Sequence, residues 1–387
     1  MKPDLQEEFR NRFNKDPEKI FFCPGRVNLI GEHIDYNGGS VMPCAITLGT
    51  WLAIARNTSK LLCFQSMNFP EKVELHLQNS YSKTGKQWFN YPLGTIQHIL
   101  QSGHNISGLD MLFYGNLVIA AGLSSSASIE VLTGYALEQM FQLNIAKIDL
   151  ALLSKDVENH FIGLNSGIMD QFAVAMGKKD KAILLNCDTL AYEYLPLEIG
   201  DHLLAIINTN KPRTLADSKY NERFNECREA LSRLQKELPV ENLCDINLHS
   251  FEEHRYLIND RLLEKRALHV ISENFRVGEA VDALSAGELA TFGKLMYASH
   301  KSLKEFYEVT GNELDTIVEF CKTQPAVTGA RMTGAGFGGC AIALVKKKQF
   351  DDFASQIISY YTNKIGYAPG VFASEIGDGV REVSSEL

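Results

Sequence analysis

The chain has little of what marks a secreted, zinc-binding or membrane-spanning protein. None of its eight cysteines form a C-x-x-C pair and several lie in apolar runs, so the sequence predicts reduced thiols in a cytosolic protein. The first residues, MKPDLQEEFRNRF, are charged and lack an apolar core, so no signal peptide is expected. No apolar run approaches the roughly 20 residues that cross a bilayer, so no membrane partner is expected.

Positive charge is also in deficit. Lysine and arginine number 38 against 47 acidic residues, which gives a net charge of −9 and argues against general binding to nucleic acid or to an acidic membrane. The sequence has no internal repeats, low-complexity tracts or long polar linkers. Its 387 residues and 45% hydrophobic fraction are typical of a globular protein of about two or three domains with a substantial core.

The segment Pro24–Asn37, PGRVNLIGEHIDYN, concentrates polar groups between two apolar runs. Its first two residues, Pro-Gly, predict a turn after a buried strand at Ile20–Cys23. Arg26 and Asn28 then alternate with apolar residues, which places both side chains on one face of a strand. A cation therefore lies between two segments that favour burial.

Three more polar residues, Glu32, His33 and Asp35, follow within four residues on a loop that begins at Gly31. Burying charges is costly unless they are paired or used. For any one residue, an arginine–carboxylate pair beside a turn is the ordinary interpretation. For the whole cluster we favour a binding site, because two carboxylates and an imidazole can accept several hydroxyls of a small polyol or sugar.

A second candidate site is the segment Gly115–Glu130, GNLVIAAGLSSSASIE. A strand-like run meets Ala-Gly, three serines and then a predicted apolar helix over Ala127–Phe141. Small residues let a backbone approach a ligand, serines cap the helix start, and the first-turn N–H groups point at an anion. A serine-capped buried helix is the alternative, but capping needs only one serine. The segment therefore predicts a phosphate site, although it lacks the Gly-Lys-Ser/Thr of a Walker A loop.

Single polar residues on predicted helices admit ordinary interpretations. Glu158 lies near the end of a helix predicted over Ile148–Phe161, where a solvated glutamate is common. Asp170 falls in the first turn of a helix for which Ser166 is the predicted cap, so it could serve only the helix dipole. Tyr220, at the start of a long polar helix, would pass for a surface tyrosine.

Glycines cluster again in the segment Thr328–Val345, TGARMTGAGFGGCAIALV. Gly334, Gly336 and Gly339 form a G-x-G-x-x-G pattern. A dinucleotide-binding interpretation requires a helix after this pattern, whereas an apolar strand at Cys340–Val345 follows, so we reject it. A tight turn into a buried strand is predicted.

The remaining pattern changes from strand-rich to helix-rich near residue 195. Further strands are predicted at Ile46–Arg56, Leu61–Ser66, Val73–Leu77, Leu109–Tyr114, Lys181–Cys187 and His202–Asn208. Helices are predicted at residues 4–14 and Trp88–Leu100, and the chain is mostly helical by pattern from Asp217 to Thr323. This change predicts a second domain.

In order along the chain, the segments Pro24–Asn37, Gly115–Glu130 and Thr328–Val345 resemble the motifs of the galactokinase family, within the GHMP small-molecule kinase superfamily. The three motifs span nearly the whole chain, and the fourteen-residue first motif is highly specific. The resemblance implies an α+β, two-domain GHMP kinase fold. A mixed-sheet N-terminal domain would cover residues 1–195 and a helix-rich α+β C-terminal domain residues 196–387, with the active site between them.

The resemblance also implies a reaction. The γ-phosphoryl group of ATP would pass to the anomeric hydroxyl of D-galactose, giving α-D-galactose 1-phosphate and ADP, the first committed step of galactose use in the Leloir pathway. A cytoplasmic monomer is expected, with Mg²⁺ as cofactor, ATP as co-substrate, and neither nucleic acid nor membrane as partner.

Roles follow residue by residue from the same resemblance. Asp170 is the implied proton acceptor, and Arg26 the implied stabiliser of the transferring phosphoryl group. Mg²⁺ is implied on Ser126 and Glu158, since it prefers oxygen ligands. The implied sugar-binding residues are Glu32, His33, Ile34, Asp35 and Tyr220. The implied ATP-binding residues are Ala120, Ala121, Gly122, Leu123, Ser124, Ser125 and Ser126.

The sequence departs from the family pattern at two positions and leaves two alternatives open. Val118 and Ala120 stand where proline and glycine are typical, and the methyl group of Ala120 could crowd a phosphate. Ile34 resembles N-acetylgalactosamine kinases, so that sugar, or another sugar, is one alternative substrate. A non-catalytic sensor of galactose and ATP is the other alternative, against which the intact Arg26 and Asp170 argue.

Overall fold

A computed structural model describes residues 4–85, 87–117, 122–212 and 216–383. The strands in these ranges are β1 (Lys19–Asn28), β2 (Ser40–Val41), β3 (Pro43–Asn57), β4 (Leu61–Ser66), β5 (Val73–His76), β6 (Gly108–Gly115), β7 (Lys181–Asn186), β8 (Tyr192–Pro196), β9 (His202–Asn208), β10 (Val327–Thr333), β11 (Cys340–Lys346), β12 (Gly370–Ser374) and β13 (Arg381–Val383).

The α-helices are α1 (Leu5–Phe13), α2 (Asn90–Gln101), α3 (Ser125–Phe141), α4 (Lys147–Asp156), α5 (Met169–Met176), α6 (Ala216–Leu234), α7 (Leu248–His254), α8 (Arg261–Ser285), α9 (Leu289–Ser302), α10 (Gly311–Lys322) and α11 (Phe350–Ile365). Short π-helices span Val157–Ile162 and Leu303–Tyr307. Single 3₁₀ turns span Asp35–Asn37, Leu243–Asp245, Arg255–Leu257 and Lys347–Gln349.

The strands form three sheets. The largest has six strands in the order β13-β1-β3-β6-β4-β5, and only its β4–β6 pair is parallel. A four-stranded antiparallel sheet has the order β10-β11-β9-β12, and a three-stranded sheet the order β2-β7-β8. The predicted α+β fold with a mixed sheet is therefore confirmed.

Strand β1 is buried on both faces, which explains its continuous apolar sequence. Phe21 and Cys23 point into the main core. Ile20 and Phe22 point the other way and join a second cluster that includes Phe9 of α1. Because side chains alternate along a strand, one apolar run serves both layers. This double burial fixes the position of Arg26, which follows on the same strand.

One local prediction is wrong, and the structure refines another. The Pro-Gly pair makes no turn, since β1 continues through it with a register shift between Pro24 and Arg26. Gly25 instead allows a close approach, because a Cβ atom there would lie 2.6 Å from the carbonyl oxygen of Leu123. The helix predicted to Phe161 ends at Asp156 and continues as a π-helix, a local variation often found at functional sites.

The helices of the second half of the chain are long and carry polar faces. Helix α8 has 25 residues with both charged and buried positions, as expected for an amphipathic helix that covers a core. Strand β8 was not predicted, because its residues are mostly exposed or half-buried and give no clear alternation. Within the described ranges, we find no helix with the length and apolarity that a membrane span requires.

Candidate active site

One cavity of about 660 Å³ brings the three sequence motifs together. The first motif contributes Arg26 and Glu32, the serine-rich segment contributes Ser124, Ser125 and Ser126, and the glycine segment contributes Gly334 and Ala335. Asp170, Glu158, Asp35 and Tyr220 line the same space. The prediction that all three motifs face one cavity is confirmed by this arrangement.

The centre of the cavity is an arginine–aspartate pair. Arg26 Nε lies 2.9 Å from Asp170 Oδ1, and Arg26 Nη2 lies 2.8 Å from Asp170 Oδ2. The same guanidinium donates through Nη1 to the carbonyl oxygen of Gly122 at 2.6 Å. Two parallel hydrogen bonds fix a carboxylate in orientation as well as position. Asp170 keeps 28% of its side chain exposed, so one side of its carboxylate remains open to the cavity.

Asp170 lies in the first turn of α5, as predicted, but the predicted cap does not form. Helix α5 begins after Ile168 without a side-chain cap. The hydroxyl of Ser166 donates to Asn159 Oδ1 at 3.1 Å instead. A tertiary partner has therefore replaced the local capping bond.

The serines before α3 also act differently from the prediction that they cap the helix. Ser124, the residue before the helix, has φ of 59° and makes no capping bond. Its hydroxyl donates to Asp170 Oδ2 at 2.6 Å. Gly122 and Leu123 offer their carbonyl oxygens to Arg26. Val118, Ala120 and Ala121, which the sequence singled out, lie outside the described residues.

Glu158 and Ser126 form a small oxygen cluster beside this pair. Ser126 Oγ donates to Glu158 Oε1 at 2.7 Å, and Gln171 Nε2 donates to Glu158 Oε2 at 2.7 Å. Burial raises the pKa of Glu158, while the hydrogen bond from Ser126 opposes that rise. Among the described residues no lysine or arginine pairs with Glu158, and no group of three or more potential ligands forms a closed metal cage.

These two oxygen donors fit a magnesium ion. Mg²⁺ prefers oxygen ligands and is usually held by one or two protein groups together with waters and phosphates. A buried carboxylate without a cationic partner gains most from such an ion, because burial disfavours an uncompensated charge. The assignment of Mg²⁺ to Ser126 and Glu158 stays a prediction, with which their oxygen atoms are compatible.

The loop after β1 presents Glu32 and His33. Glu32 Oε2 lies 2.9 Å from Arg331 Nη1, and burial raises the pKa of Glu32 against the opposing charge of Arg331. His33 Nε2 lies 3.1 Å from the carbonyl oxygen of Ala335, and its Nδ1 lies 2.9 Å from the Tyr36 hydroxyl. Burial lowers the pKa of His33 to about 3, so the ring is neutral. The carbonyl can only accept, which assigns the proton to Nε2.

Asp35, in the 3₁₀ turn of the loop, and Tyr220 of α6 line the same cavity. Burial, together with the carboxylates of Asp170 and Glu32, raises the pKa of Asp35 to about 7. The Tyr220 ring lies 5.5 Å from the His33 ring. Ile34 differs from the rest, since its side chain is fully buried in the core and does not line the cavity. The turn of the loop points this side chain inward, so its proposed contact with a ligand is not supported.

Sequence reasoning missed the apolar end of the cavity. Phe69 and Trp88 stack there with ring centroids 6.0 Å apart and planes 10° apart, and Tyr114 and Leu117 complete that wall. Phe69 follows β4 and Trp88 precedes α2, so no local periodicity links them. The closest available signal is that Trp88 is one of only two tryptophans in the chain.

Comparisons with known proteins show the family of this chain. Family models match for the galactokinase galactose-binding signature at residues 7–56, the GHMP kinase N-terminal domain at residues 90–178 and the GHMP kinase C-terminal domain at residues 280–363. The chain is 50% identical to the galactokinase of Lactiplantibacillus plantarum over 98% of its own length and 99% of that protein. The chain belongs to the galactokinase family.

Solved structures place the family within a wider fold. A crystal structure of Lactococcus lactis galactokinase complexed with galactose has a TM-score of 0.95 and 45% identity, covering 98% of this chain and 99% of that one. Methanococcus jannaschii mevalonate kinase has a TM-score of 0.68 and 21% identity, covering 93% and 98%. At that identity the likeness shows the fold alone. The two-domain GHMP kinase fold is confirmed, while the boundary at residue 195 stays a prediction.

A buried acid beneath the site of this galactokinase-family chain was also missed. Glu130 of α3 is fully buried, and neither of its carboxyl oxygens has a hydrogen-bond partner among the described residues. Burial raises the pKa of Glu130 well above its ordinary value, and the nearby carboxylates of Glu158 and Asp170 raise it further. Burial and these two carboxylates therefore favour the protonated form of Glu130 in the folded protein.

We expect Glu130→Gln to stabilise the protein increasingly as pH rises. Above pH of about 4.3 the unfolded chain ionises Glu130, while the folded chain keeps the proton, so wild-type stability falls as pH rises toward the folded pKa. Glutamine does not titrate, so the variant does not lose stability in this way as pH rises. In thermal melts from pH 5 to pH 8, the melting temperature of the variant should increase relative to that of the wild type as pH rises. A difference in melting temperature that is independent of pH would contradict a neutral Glu130.

Proposed function

We propose that this ATP-dependent sugar kinase transfers the γ-phosphoryl group of ATP to the anomeric hydroxyl of D-galactose, giving α-D-galactose 1-phosphate and ADP. One observation carries the proposal. The Asp170 carboxylate, held by Nε and Nη2 of Arg26, lines the cavity together with residues of the hydroxyl-binding loop and the serine-rich loop. The relatives named galactokinase, one of them solved with galactose, support the choice of sugar.

Asp170 is the proposed proton acceptor. Phosphoryl transfer depends mainly on positioning and on charge stabilisation, so the protein must hold the hydroxyl in line and accept its proton. The open side of the Asp170 carboxylate suits that role. Hydrogen bonds from Arg26 and Ser124 occupy the other sides of the two carboxylate oxygens. Arg26 also contributes positive charge near the transferring phosphoryl group.

The loop after β1 is the proposed sugar site. Glu32 and Asp35 supply carboxylate oxygens, which accept hydrogen bonds from sugar hydroxyls. Tyr220 supplies a hydroxyl group, which can donate a hydrogen bond to the sugar. His33 is neutral, which makes it a hydrogen-bonding group rather than a charge. Arg331 stabilises the Glu32 carboxylate through an ion pair.

The serine-rich loop and the apolar wall are the proposed ATP site. Ser125 and Ser126, in the first turn of α3, line the cavity, and the N–H groups at a helix N-terminus favour phosphate. The adenine ring would lie against the aromatic wall formed by Trp88 and its neighbours, since planar rings prefer such surfaces. Ser126 and Glu158 would hold Mg²⁺, which neutralises phosphate charge when bound.

A coupled ADP-release assay over a small sugar panel tests the function. We expect turnover with galactose at a kcat/KM far above that with glucose, which differs only at the C4 hydroxyl. A site that hydrogen-bonds one hydroxyl rejects the epimer because its polar groups are left unpaired. Comparable kcat/KM for the two sugars would contradict the assignment. Absence of turnover with every sugar would favour the sensor alternative.

The alternative substrate N-acetylgalactosamine loses its sequence support. Ile34 was the residue that favoured it, and the Ile34 side chain lies in the core and not in the cavity. A higher kcat/KM with N-acetylgalactosamine than with galactose in the same panel would nevertheless reinstate that substrate.

A further inference from the structure

The sugar loop is held in an unusual backbone conformation. Gly31 has φ of 93° and His33 has φ of 63°, both in the left-handed region that side chains other than glycine rarely adopt. A Cβ atom at Gly31 would lie 2.8 Å from the carbonyl oxygen of Ser40 and 3.0 Å from Val277 Cγ2. Such a turn persists only where its surroundings hold it.

The holding contacts come from helix α8, in the other half of the chain. Glu273 Oε1 accepts hydrogen bonds from the backbone N–H of Gly31 at 3.0 Å and of Glu32 at 3.4 Å. Ser299 of α9 donates its hydroxyl to the same oxygen at 2.5 Å. The other carboxyl oxygen pairs with Arg276. One carboxylate thus receives the two N–H groups that point away from the cavity.

A histidine one turn earlier on α8 holds the next peptide group, which joins Glu32 to His33. His269 Nε2 lies 3.2 Å from the carbonyl oxygen of Glu32, and its Nδ1 lies 2.8 Å from Ser302 Oγ. Burial lowers the pKa of His269 to about 4, so the ring is neutral. Since the carbonyl can only accept, Nε2 carries the proton and Nδ1 accepts from Ser302.

We propose that Glu273 is a positioning residue for the sugar site, which fixes the Gly31–His33 turn so that Glu32 and His33 point into the cavity. This inference rests on the proposed function, because it takes the loop to be the sugar site. Glu273 is fully buried and does not line the cavity, so it acts through the backbone of the loop.

The charge of Glu273 suits this role. Burial alone would raise its pKa, but the charges of Arg276 and Arg331 and the hydrogen bond from Ser299 lower it to about 2. Glu273 is therefore an ionised acceptor at neutral pH, and hydrogen bonds to charged groups are the stronger ones. A purely structural ion pair with Arg276 would not require the second oxygen to accept two loop N–H groups.

The test measures steady-state kinetics and galactose binding of Glu273→Ala and Glu273→Gln in the full chain. We expect Glu273→Ala to raise both KM and Kd for galactose about 10- to 100-fold, the loss for hydrogen bonds to a charged acceptor. KM for ATP should change by no more than about two-fold, because none of the described residues of the serine-rich loop forms a hydrogen bond or ion pair with Glu273. Glu273→Gln should lie between wild type and Glu273→Ala, since its amide oxygen still accepts, and it serves if the alanine variant fails to fold.

Asp315→Asn is the matched control. Asp315 is a mostly buried carboxylate of α10 that pairs with His300 and Lys304 and has no contact with the loop. The Asp315→Asn substitution should lower the melting temperature while KM for galactose stays unchanged. The inference is overturned if the Glu273 variants keep a wild-type KM for galactose, or if KM for galactose and for ATP rise together. A wild-type protein that neither binds nor phosphorylates galactose overturns the proposed function, and this inference with it.

Discussion

Asp170→Asn should lower kcat by roughly 10²–10⁴, the usual contribution of a positioned acid–base group. Asparagine keeps the size and shape of the side chain but cannot accept a proton as a carboxylate does. Galactose binding should weaken far less, because an amide still hydrogen-bonds a hydroxyl. Steady-state kinetics and galactose titration separate the two effects, and a thermal melt shows whether the fold persists.

Asp149→Asn gives the matched comparison. Asp149 is an exposed aspartate in the first turn of α4. Its substitution therefore removes the same favourable interaction between a carboxylate and a helix dipole, worth roughly 0.3–1 kcal/mol. If Asp170 served only the helix dipole, the two variants would behave alike, with a slightly lower melting temperature and nearly normal kcat. Near-normal kcat in folded Asp170→Asn protein would leave positioning alone to explain catalysis.

Arg26→Ala should lower kcat by roughly 10²–10³, comparable with the removal of one preorganised group that stabilises transition-state charge. The guanidinium holds both Asp170 oxygens and the Gly122 carbonyl, so its loss also frees the base to move. Arg26→Lys should rescue little, because an ammonium cannot form the planar fork. Because both residues act on one step, the double variant Arg26→Ala/Asp170→Asn should lose less than the product of the single losses.

Arg266→Ala controls for the loss of a buried ion pair. Arg266 is fully buried and pairs with Glu226 and Glu308 away from the cavity. Its removal takes away one of the two arginines that pair with Glu226, a carboxylate that is only 13% exposed, so the melting temperature should fall while folded protein keeps its kcat. Multiplicative losses in the double variant of Arg26 and Asp170 would show that the two residues act independently.

Local periodicity predicted most strands and helices, because burial on one face leaves a direct mark on the sequence. The edges of elements were less reliable, since they depend on tertiary partners. Ser124 and Ser166 illustrate this limit. Both have the chemistry of helix caps, and both hydrogen-bond residues elsewhere instead.

The candidate site could be assembled from the sequence only through the family resemblance. Arg26 and Asp170 are separated by 144 positions, and no spacing rule links them. Arg331 beneath Glu32 and the stacked Phe69 and Trp88 were missed for the same reason. Glu130 was missed because an acid in an apolar helix has no sequence signal that distinguishes a buried neutral group from an exposed one.

The short strand β13 is synthesised long after the strand with which it pairs. It pairs with β1, and Lys19 and Glu382, which form an ion pair across this edge, are 363 positions apart. At about 5–20 residues per second, a ribosome needs roughly 20–70 s to reach β13 after completing β1. During that interval the nascent first sheet has an unpaired edge at β1, the kind of edge that recruits other chains. Until β13 has been synthesised, β1 therefore lacks the strand that covers this edge in the folded protein.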